Sequence, residues 1–220
     1  MAREAVIVDS VRTALTKAHR GSFNITEPVD YLAHTLREVA ARVPNLDSAE
    51  IEDVIAGCGF PEGCQGMNMA RIAAMAAGFS KDVAGTTVNR FCSSGSQAVM
   101  MAASSVVNEG ADVAIGAGVE TITMMQDGTQ NTTRLANAAA QARFPGLYFP
   151  MGITAEIVAD RYGVSREDQD EYALKSQQRY AAAVDAGHIA EEIVPMKVTR
   201  KVIKKGEEPY DEDFTVEVDE

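Results

Sequence analysis

The chain has 220 residues, of which 46% are hydrophobic and 24% are charged, so it can bury a substantial core and is not disordered by composition. Its formal net charge of −12 argues against nucleic acid as a partner, because neutralising phosphates requires clustered Lys and Arg side chains. The N-terminal stretch MAREAVIVDSVRT lacks the apolar segment of a signal peptide, and no run reaches the length of a membrane-spanning helix. We therefore expect a cytoplasmic protein without membrane insertion.

Apolar runs alternate with helical patterns over residues 1–120. Apolar or β-rich runs predict strands at residues 4–9, 51–57, 85–89 and 111–118. Apolar residues at helical spacing predict the intervening helices at residues 28–43, 69–78 and 92–109. The order βαβαβαβ is typical of an α/β fold whose mostly parallel sheet carries helices on both faces.

The composition changes near residue 121, where a polar stretch rich in Asn, Gln and Thr begins. We interpret residues 121–220 as a second, mainly helical unit inserted after the sheet. Helices are predicted at residues 153–162 and 165–187, and the second begins with a capping box formed by Ser165 and Asp168. The stretches EEIVPMKV and FTVEV then predict strands, and the chain ends soon after the second one.

The segment VNRFCSSGS places Cys92 between a strand pattern and a helix of small residues. A thiol at a helix N-terminus lies at the positive end of the helix dipole, which favours the reactive thiolate. Small side chains at Ser93, Ser94 and Gly95 let a substrate carbonyl approach, and backbone N–H groups of this turn can bind an oxyanion. Position and neighbours alone leave two interpretations open: a catalytic nucleophile or an inert core thiol.

The remaining candidate residues favour structural roles. Cys58 and Cys64 match no common zinc-ligand spacing and have no histidine nearby, so we expect free thiols in or near the core and no metal site. Nothing orients His19 or His34 towards Cys92, which leaves a Cys–His protease as a minor alternative. The stretch GAG at 116–118 lacks the third glycine of a dinucleotide-binding loop.

Several segments resemble the thiolase family in the family's own order. VNRFCSSGSQAV resembles the active-site pattern V-N-x-x-C-S-S-G followed by a long helix. REAVIVDSVRT resembles the opening strand, PEGCQGMNMAR the approach to the second helix, and AIGAGVETITMM the segment after the fourth strand. YFPMGITAEIVADRYGVSREDQD resembles the start of the family's loop domain. The resemblance covers the whole chain and favours the catalytic interpretation of Cys92.

The resemblance implies a definite chemistry. Thiolases cleave a 3-ketoacyl-CoA with a second CoA, or run the reverse Claisen condensation, and the matching nucleophile here is Cys92, whose own N–H belongs to an oxyanion site. Residues 1–120 correspond to the N-terminal half, and residues 121–220 to an incomplete loop domain that binds CoA, with Met151 as the matching pantetheine contact. Coenzyme A or acyl-CoA is then a substrate, and no cofactor is bound permanently. Pro150 matches the degradative branch of the family, which acts in fatty-acid β-oxidation.

The chain departs from the family pattern mainly in length. The family's second half carries Asn-Glu-Ala-Phe, Gly-His-Pro and Cys-x-Gly motifs, which supply a water-holding asparagine, a base and an acid–base cysteine, and this chain has none of them. The resemblance therefore implies a complementary C-terminal half, without which this chain alone is inactive. Residue 220 is then a natural end, a proteolytic cut or a designed boundary. Family members are commonly dimers or tetramers, so a homo-oligomer is expected.

Two alternatives to an active thiolase half remain. A ketosynthase or related condensing enzyme shares the layout of a cysteine at the start of a buried helix. A catalytically silent thiolase-like subunit that binds acyl-CoA or scaffolds a complex would lack the same motifs.

Overall fold

The computed structural model describes residues 3–220, which form two compact units. The first unit contains Met1–Gln130 and Glu192–Glu220, and the second unit contains Asn131–Glu191. The chain leaves the first unit after Gln130 and re-enters it at Glu192. The domain border predicted at residue 120 stays a prediction.

The helices and strands follow the predicted alternation along most of the chain. Within residues 3–220 the helices are α1 (Pro28–Arg42), α2 (Met69–Ala76), α3 (Ser94–Ser104), α4 (Ile122–Met125), α5 (Ala138–Arg143), α6 (Met151–Tyr162), α7 (Arg166–Asp185) and α8 (His188–Glu192). The strands are β1 (Asp53–Gly57), β2 (Ala84–Val88), β3 (Ala114–Gly118), β4 (Met196–Val202) and β5 (Tyr210–Val216). None of these helices is both long and apolar enough to cross a membrane.

Strands β1, β2 and β3 form a parallel sheet in the order β2–β1–β3. At its carboxyl edge Gly57 pairs with Val88 on one side and with Gly118 on the other. The loops that follow all three strands therefore start from one edge of the sheet. Parallel pairing with helical crossovers confirms the predicted α/β fold.

The predicted first strand, residues 4–9, lies outside the sheet. Among the residues that the structure describes, these six make no strand pairing, and the side chains of Val6, Ile7 and Val8 are 77%, 80% and 74% exposed. The βαβαβαβ prediction is therefore wrong in its first strand. An apolar run forms a buried strand only where a neighbouring strand completes its hydrogen bonds and another layer covers its side chains, and the described chain supplies neither here.

Helices pack on both faces of the sheet, as predicted. Successive residues of a strand point to opposite faces, and the two core clusters follow this alternation along β1. Val54 and Ala56 belong to the cluster that contains α1 and α2 residues, whereas Ile55 packs against Ala98 and Ala102 of α3.

Glycines in the outer strands let the helices approach closely. A Cβ at Gly116 in β3 would lie 2.6 Å from the Cα of Val99 in α3, and one at Gly85 in β2 would lie 2.7 Å from the Cα of Arg71 in α2. Backbone atoms cannot move aside as a flexible side chain can, so these positions tolerate only glycine at this spacing.

The hairpin of β4 and β5 closes against the N-terminal segment of the first unit. The two strands pair antiparallel, and beyond them the guanidinium of Arg12 binds the carboxylate of Asp219 at 2.6 Å and that of Glu192 at 2.6 Å. The hydrogen bonds that the Arg12 guanidinium donates to Asp219 raise the pKa of Arg12 above its ordinary value, so the guanidinium stays charged. The backbone N–H of Glu220 donates to the carbonyl of Leu15, which fixes the last residue of the chain beside the N-terminal segment.

The second unit is helical, as predicted, and its longest helix is α7. Ser165 caps α7, and its hydroxyl and the carboxylate of Asp168 complete the predicted capping box. No residue of α6 or α7 is buried. Both helices therefore leave their apolar residues exposed.

The contact at Gly116 predicts a loss of stability on substitution. Gly116→Ala forces α3 away from the sheet and is expected to lower the free energy of unfolding by about 1–3 kcal/mol, the usual cost of overpacking. The measurement is a urea unfolding curve of the 220-residue chain. Gly95→Ala is the matched control, because a Cβ there meets only the Cα of Gly118 at 4.0 Å. An unchanged midpoint for Gly116→Ala would contradict the close packing.

Candidate functional site

Cys92 lies in the short turn between β2 and α3 at the carboxyl edge of the sheet. The predicted helix start at Cys92 is wrong by two residues, because α3 begins at Ser94 with Ser93 as its N-cap. Ser93 has a ψ of 7°, outside the α-helical range, so the helix does not extend back to Cys92. Phe91, just before Cys92, has a left-handed φ of +47°. Cys92 is exposed, so the alternative of a buried core thiol does not describe it, and its catalytic role stays a prediction.

Side chains hold this turn on both sides of Phe91. Asn89 Oδ1 accepts a hydrogen bond from the N–H of Phe91 at 2.8 Å. The hydroxyl of Ser94, a buried residue, donates to the carbonyl of Phe91 at 2.6 Å and accepts from the N–H of Arg90 at 2.8 Å. The turn that carries Cys92 is therefore defined by hydrogen bonds within five consecutive residues and one neighbouring asparagine.

Most backbone N–H groups of this turn are already occupied. The N–H of Ser93 donates to the carbonyl of Arg90 at 3.1 Å, and that of Ser94 donates to the carbonyl of Phe91 at 3.0 Å. In the described part of the chain, the N–H of Cys92 donates to no acceptor. Among the N–H groups of residues 92–94, that of Cys92 is therefore the one left to bind an oxyanion. The sequence resemblance implies the same group.

The start of α3 rests directly on the end of β1. A Cβ at Gly57 would lie 2.2 Å from the carbonyl carbon of Ser94 and 2.4 Å from the nitrogen of Gly95, so any side chain there would collide with the helix backbone. Glycine at position 57 therefore allows the turn with Cys92 to sit at the sheet edge.

A partly buried polar network joins the loops after β1 and β3. The carboxylate of Glu120 accepts from the N–H of Gly59 at 2.7 Å and from Nε2 of Gln65 at 2.5 Å. Gln65 is fully buried, and its Oε1 accepts from the N–H of Thr121 at 2.6 Å. Asn89, after β2, completes the connection because its Nδ2 donates to the carbonyl of Gly59 at 3.0 Å.

Two aromatic rings form an apolar surface beside Cys92. Phe60 and Phe91 are both exposed, and their rings meet edge to face with centroids 6.4 Å apart. Phe91 directly precedes Cys92 in the chain, so this surface starts at the residue before the cysteine.

The other two cysteines are free thiols, as predicted, and only one of them lies in the core. Cys58 is buried, and desolvation raises its pKa to about 11, with a further contribution from the Glu120 carboxylate. Burial also raises the pKa of Cys64, an exposed residue whose Sγ lies 3.9 Å and 3.8 Å from the sulfurs of Met124 and Met125. A raised pKa keeps both thiols protonated at neutral pH.

In the described residues, Cys92 has neither a histidine partner nor a metal-binding cluster. No hydrogen bond or ion pair joins it to His19, His34 or His188, and the buried Nε2 of His34 has no hydrogen-bond partner there. Residues 3–220 contain no group of three or more His, Cys, Asp or Glu side chains arranged to hold a metal ion.

Met151, the candidate pantetheine contact, belongs to the second unit. Met151 is the first residue of α6 and is exposed; Pro150, the residue before it, is the N-cap. Cys92 belongs to the first unit, so the shared site stays a prediction.

Sequence reasoning missed the residues that shape the turn. Asn89 lies two residues before Phe91, the spacing of an Asx turn, and this local signal was available. Gln65 and Glu120 are 55 positions apart, and their pairing depends on the register of three strands, which no local pattern contains.

Comparison with known proteins places the chain in a family. It matches the family model described as "Thiolase, N-terminal domain" over residues 5–219. It is 40% identical over 218 residues to the 3-ketoacyl-CoA thiolase of Bacillus subtilis (strain 168), an alignment that covers 99% of this chain and 55% of that protein. For the peroxisomal 3-ketoacyl-CoA thiolase 2 of Arabidopsis thaliana the identity is 40% over 220 residues, covering 99% and 46%.

The match extends to other bacteria. The 3-ketoacyl-CoA thiolase of Aliivibrio salmonicida (strain LFI1238) is 38% identical over 196 residues, covering 88% of this chain and 49% of that protein. The chain thus spans about half the length of the curated relatives it matches. Because the family model covers nearly the whole chain and the fold agrees with it, the chain belongs to the thiolase family and corresponds to its N-terminal domain.

Proposed function

We propose that this chain supplies the nucleophile half of an acyl-transferring thiolase, with Cys92 as the acyl acceptor. The observation that carries the proposal is the position of Cys92: exposed at the carboxyl edge of a parallel sheet, immediately before α3, with its own N–H unoccupied in the described chain. Relatives named 3-ketoacyl-CoA thiolase support the same reaction class.

The proposed reaction proceeds by two acyl transfers. The Cys92 thiolate attacks the 3-keto carbon of a 3-ketoacyl-CoA and forms a C–S bond, and the electron pair moves to the carbonyl oxygen. Collapse of this oxyanion breaks the C2–C3 bond, and the acetyl-CoA enolate leaves and takes up a proton. The thiolate of a second CoA then attacks the acyl-cysteine, releases acyl-CoA and returns Cys92. The Cys92 N–H stabilises the oxyanion in both transfers.

Turnover requires proton-transfer groups that this chain does not carry. We propose that a complementary C-terminal half, corresponding to the part of the relatives beyond the matched region, supplies the base and the acid–base cysteine. The exposed apolar residues Val6–Val8 and the exposed Val99 and Met100 of α3 support such a partner, because a covering surface would bury them. A homo-oligomer built through the first unit is also proposed, and the acidic net charge favours neither nucleic acid nor an anionic membrane.

The proposed substrate is an acyl-CoA of the degradative class. Pro150 supports this choice through the family resemblance, and the apolar pair Phe60 and Phe91 offers a surface for an apolar acyl chain beside Cys92. Met151 is proposed to contact the pantetheine of CoA. A cytoplasmic location is proposed from the sequence, although the name of the Arabidopsis relative places that protein in peroxisomes.

A catalytically silent subunit is the second candidate. The observation that favours it is that the base and the acid–base cysteine of the family pattern are not in this chain. Such a subunit binds acyl-CoA or scaffolds a complex without forming an acyl-cysteine.

Turnover in a reconstituted complex separates the two candidates. The chain is co-expressed with the C-terminal half of the Bacillus subtilis relative, and thiolysis of acetoacetyl-CoA by CoA is followed through loss of the enolate absorbance. Cys92→Ala is expected to lower kcat by at least about 10³-fold, because removing the nucleophile leaves only residual catalysis. Cys64→Ala is the matched control and is expected to retain activity. CoA binding without turnover in the unsubstituted complex would favour the silent subunit.

Cys92 and Cys58 are expected to react in a definite order. At pH 8 the buried Cys58 stays protonated, since its pKa is raised to about 11, whereas Cys92 is exposed to reagent. Iodoacetamide labelling resolved by peptide mass spectrometry is expected to modify Cys92 well before Cys58. Cys58 should begin to react only as the pH approaches 11 or when urea unfolds the chain. Equal labelling rates for Cys58 and Cys92 in the folded chain would refute the burial-based argument.

A further inference from the structure

The two peptide groups that flank Phe91 determine how Cys92 is presented. A φ of +47° is uncommon for a bulky side chain and persists only where surrounding groups enforce it. Asn89 holds the peptide before Phe91 through the Phe91 N–H, and Ser94 holds the peptide after it through the Phe91 carbonyl. The φ and ψ angles of Phe91 are set by the orientations of the peptide groups before and after it. One side chain binds each of these two peptide groups.

The bond from Ser94 also fixes the direction of the Cys92 N–H. The carbonyl of Phe91 and the N–H of Cys92 belong to the same peptide group, which is planar and trans, so they point in opposite directions. The Ser94 hydroxyl and the Ser94 N–H both bind that carbonyl, at 2.6 Å and 3.0 Å, and draw it towards the start of α3. The Cys92 N–H must therefore point away from the first turn of the helix.

Asn89 is itself held in a single orientation. Its Nδ2 donates to the carbonyl of Gly59, so its Oδ1 is the atom that faces the Phe91 N–H. Gly59 is fixed from its other side by Glu120, and Glu120 by the buried Gln65. A hydrogen-bonded path thus runs from the buried interior of the first unit to the peptide beside Cys92.

We propose that Asn89 and Ser94 are positioning residues of the acyl-transfer site, which set the direction in which the Cys92 N–H meets the oxyanion of the tetrahedral intermediate. Neither side chain touches the reacting atoms; both act through the Phe91 peptide groups. The inference rests on the proposed role of Cys92 as the acyl acceptor. It adds to that role a reason why the turn keeps a left-handed phenylalanine.

The test compares two reactions of the same sulfur in the 220-residue chain. With p-nitrophenyl acetate, the Cys92 thiolate attacks the ester carbon, the oxygen becomes an oxyanion, and the C–O bond then breaks to release p-nitrophenolate. With iodoacetamide, the thiolate displaces iodide from a saturated carbon, and no oxyanion forms. The ratio of the two rate constants, each measured on the Cys92 peptide by mass spectrometry, cancels changes in thiolate fraction and exposure. It therefore reports on oxyanion stabilisation alone.

Loss of either positioning side chain is expected to lower this ratio. Asn89→Ala and Ser94→Ala should each reduce it about tenfold, a fraction of the 10²- to 10³-fold effect of deleting an oxyanion donor. Asn89→Ser keeps a short, uncharged acceptor for the Phe91 N–H and should retain clearly more of the ratio than Asn89→Ala. Ser96→Ala, in the same helix but outside this network, is the matched control and should leave the ratio unchanged.

Two results would overturn the proposal. One is an unchanged ratio in Asn89→Ala. Because Asn89 is exposed, this variant is expected to fold, which circular dichroism checks. The test can therefore be made on Asn89→Ala even if substitution of the buried Ser94 unfolds the chain. The other is an equal fall in Asn89→Ser and Asn89→Ala. The ratio needs no complementary half, so failure of acetoacetyl-CoA thiolysis in the reconstituted complex would count against the proposed function and not against the positioning role.

Discussion

The direct contact between the backbone of Ser94 and Gly57 is the constraint on which the candidate site depends. With no side chain at Gly57, the first residues of α3 lie against the last residue of β1. Cys92 is only two residues before that contact, so the sheet fixes its location to within the short turn. The helix dipole, the free N–H and the exposure of the sulfur all act at this point because the glycine permits the approach.

The parallel register then brings the loops together. Because Gly57, Val88 and Gly118 lie side by side, the segments that follow them start from one edge and are close enough for Gln65, Glu120 and Asn89 to join them. Because Gln65 is buried, each of its polar atoms needs a hydrogen-bond partner; an unpaired one would lower the stability of the fold. Both amide atoms of Gln65 are paired, and all its hydrogen-bond partners belong to the first unit.

Sequence reasoning predicted the features that repeat locally and missed those that depend on neighbours. The strands β1 to β3, the helices α1 to α3 and the capping box at Ser165 follow from periodicity and capping chemistry, which are properties of a few adjacent residues. The run at residues 4–9 has the same apolar character but no pairing partner in the described chain, so its composition alone could not decide its structure. The left-handed Phe91 does not follow from its own preference: Asn89 and Ser94 hold its two peptide groups, and only the Asn89 spacing was visible as a local pattern.

The groups that orient Cys92 are present in this chain, whereas the family's proton-transfer motifs are not. For this reason both an active thiolase half and a silent subunit fit the same chain. Every group that orients Cys92, from Gln65 to Ser94, belongs to the first unit, so that unit alone arranges the proposed nucleophile and its proposed oxyanion donor. Proton movement needs titratable groups beside the sulfur, and the described residues form no hydrogen bond or ion pair between Cys92 and a histidine. A site with preformed geometry and no base can accept an activated acyl group but cannot complete a cycle. What distinguishes the two candidates is therefore whether the proposed complementary half supplies a base, because the turn at Cys92 is the same in both.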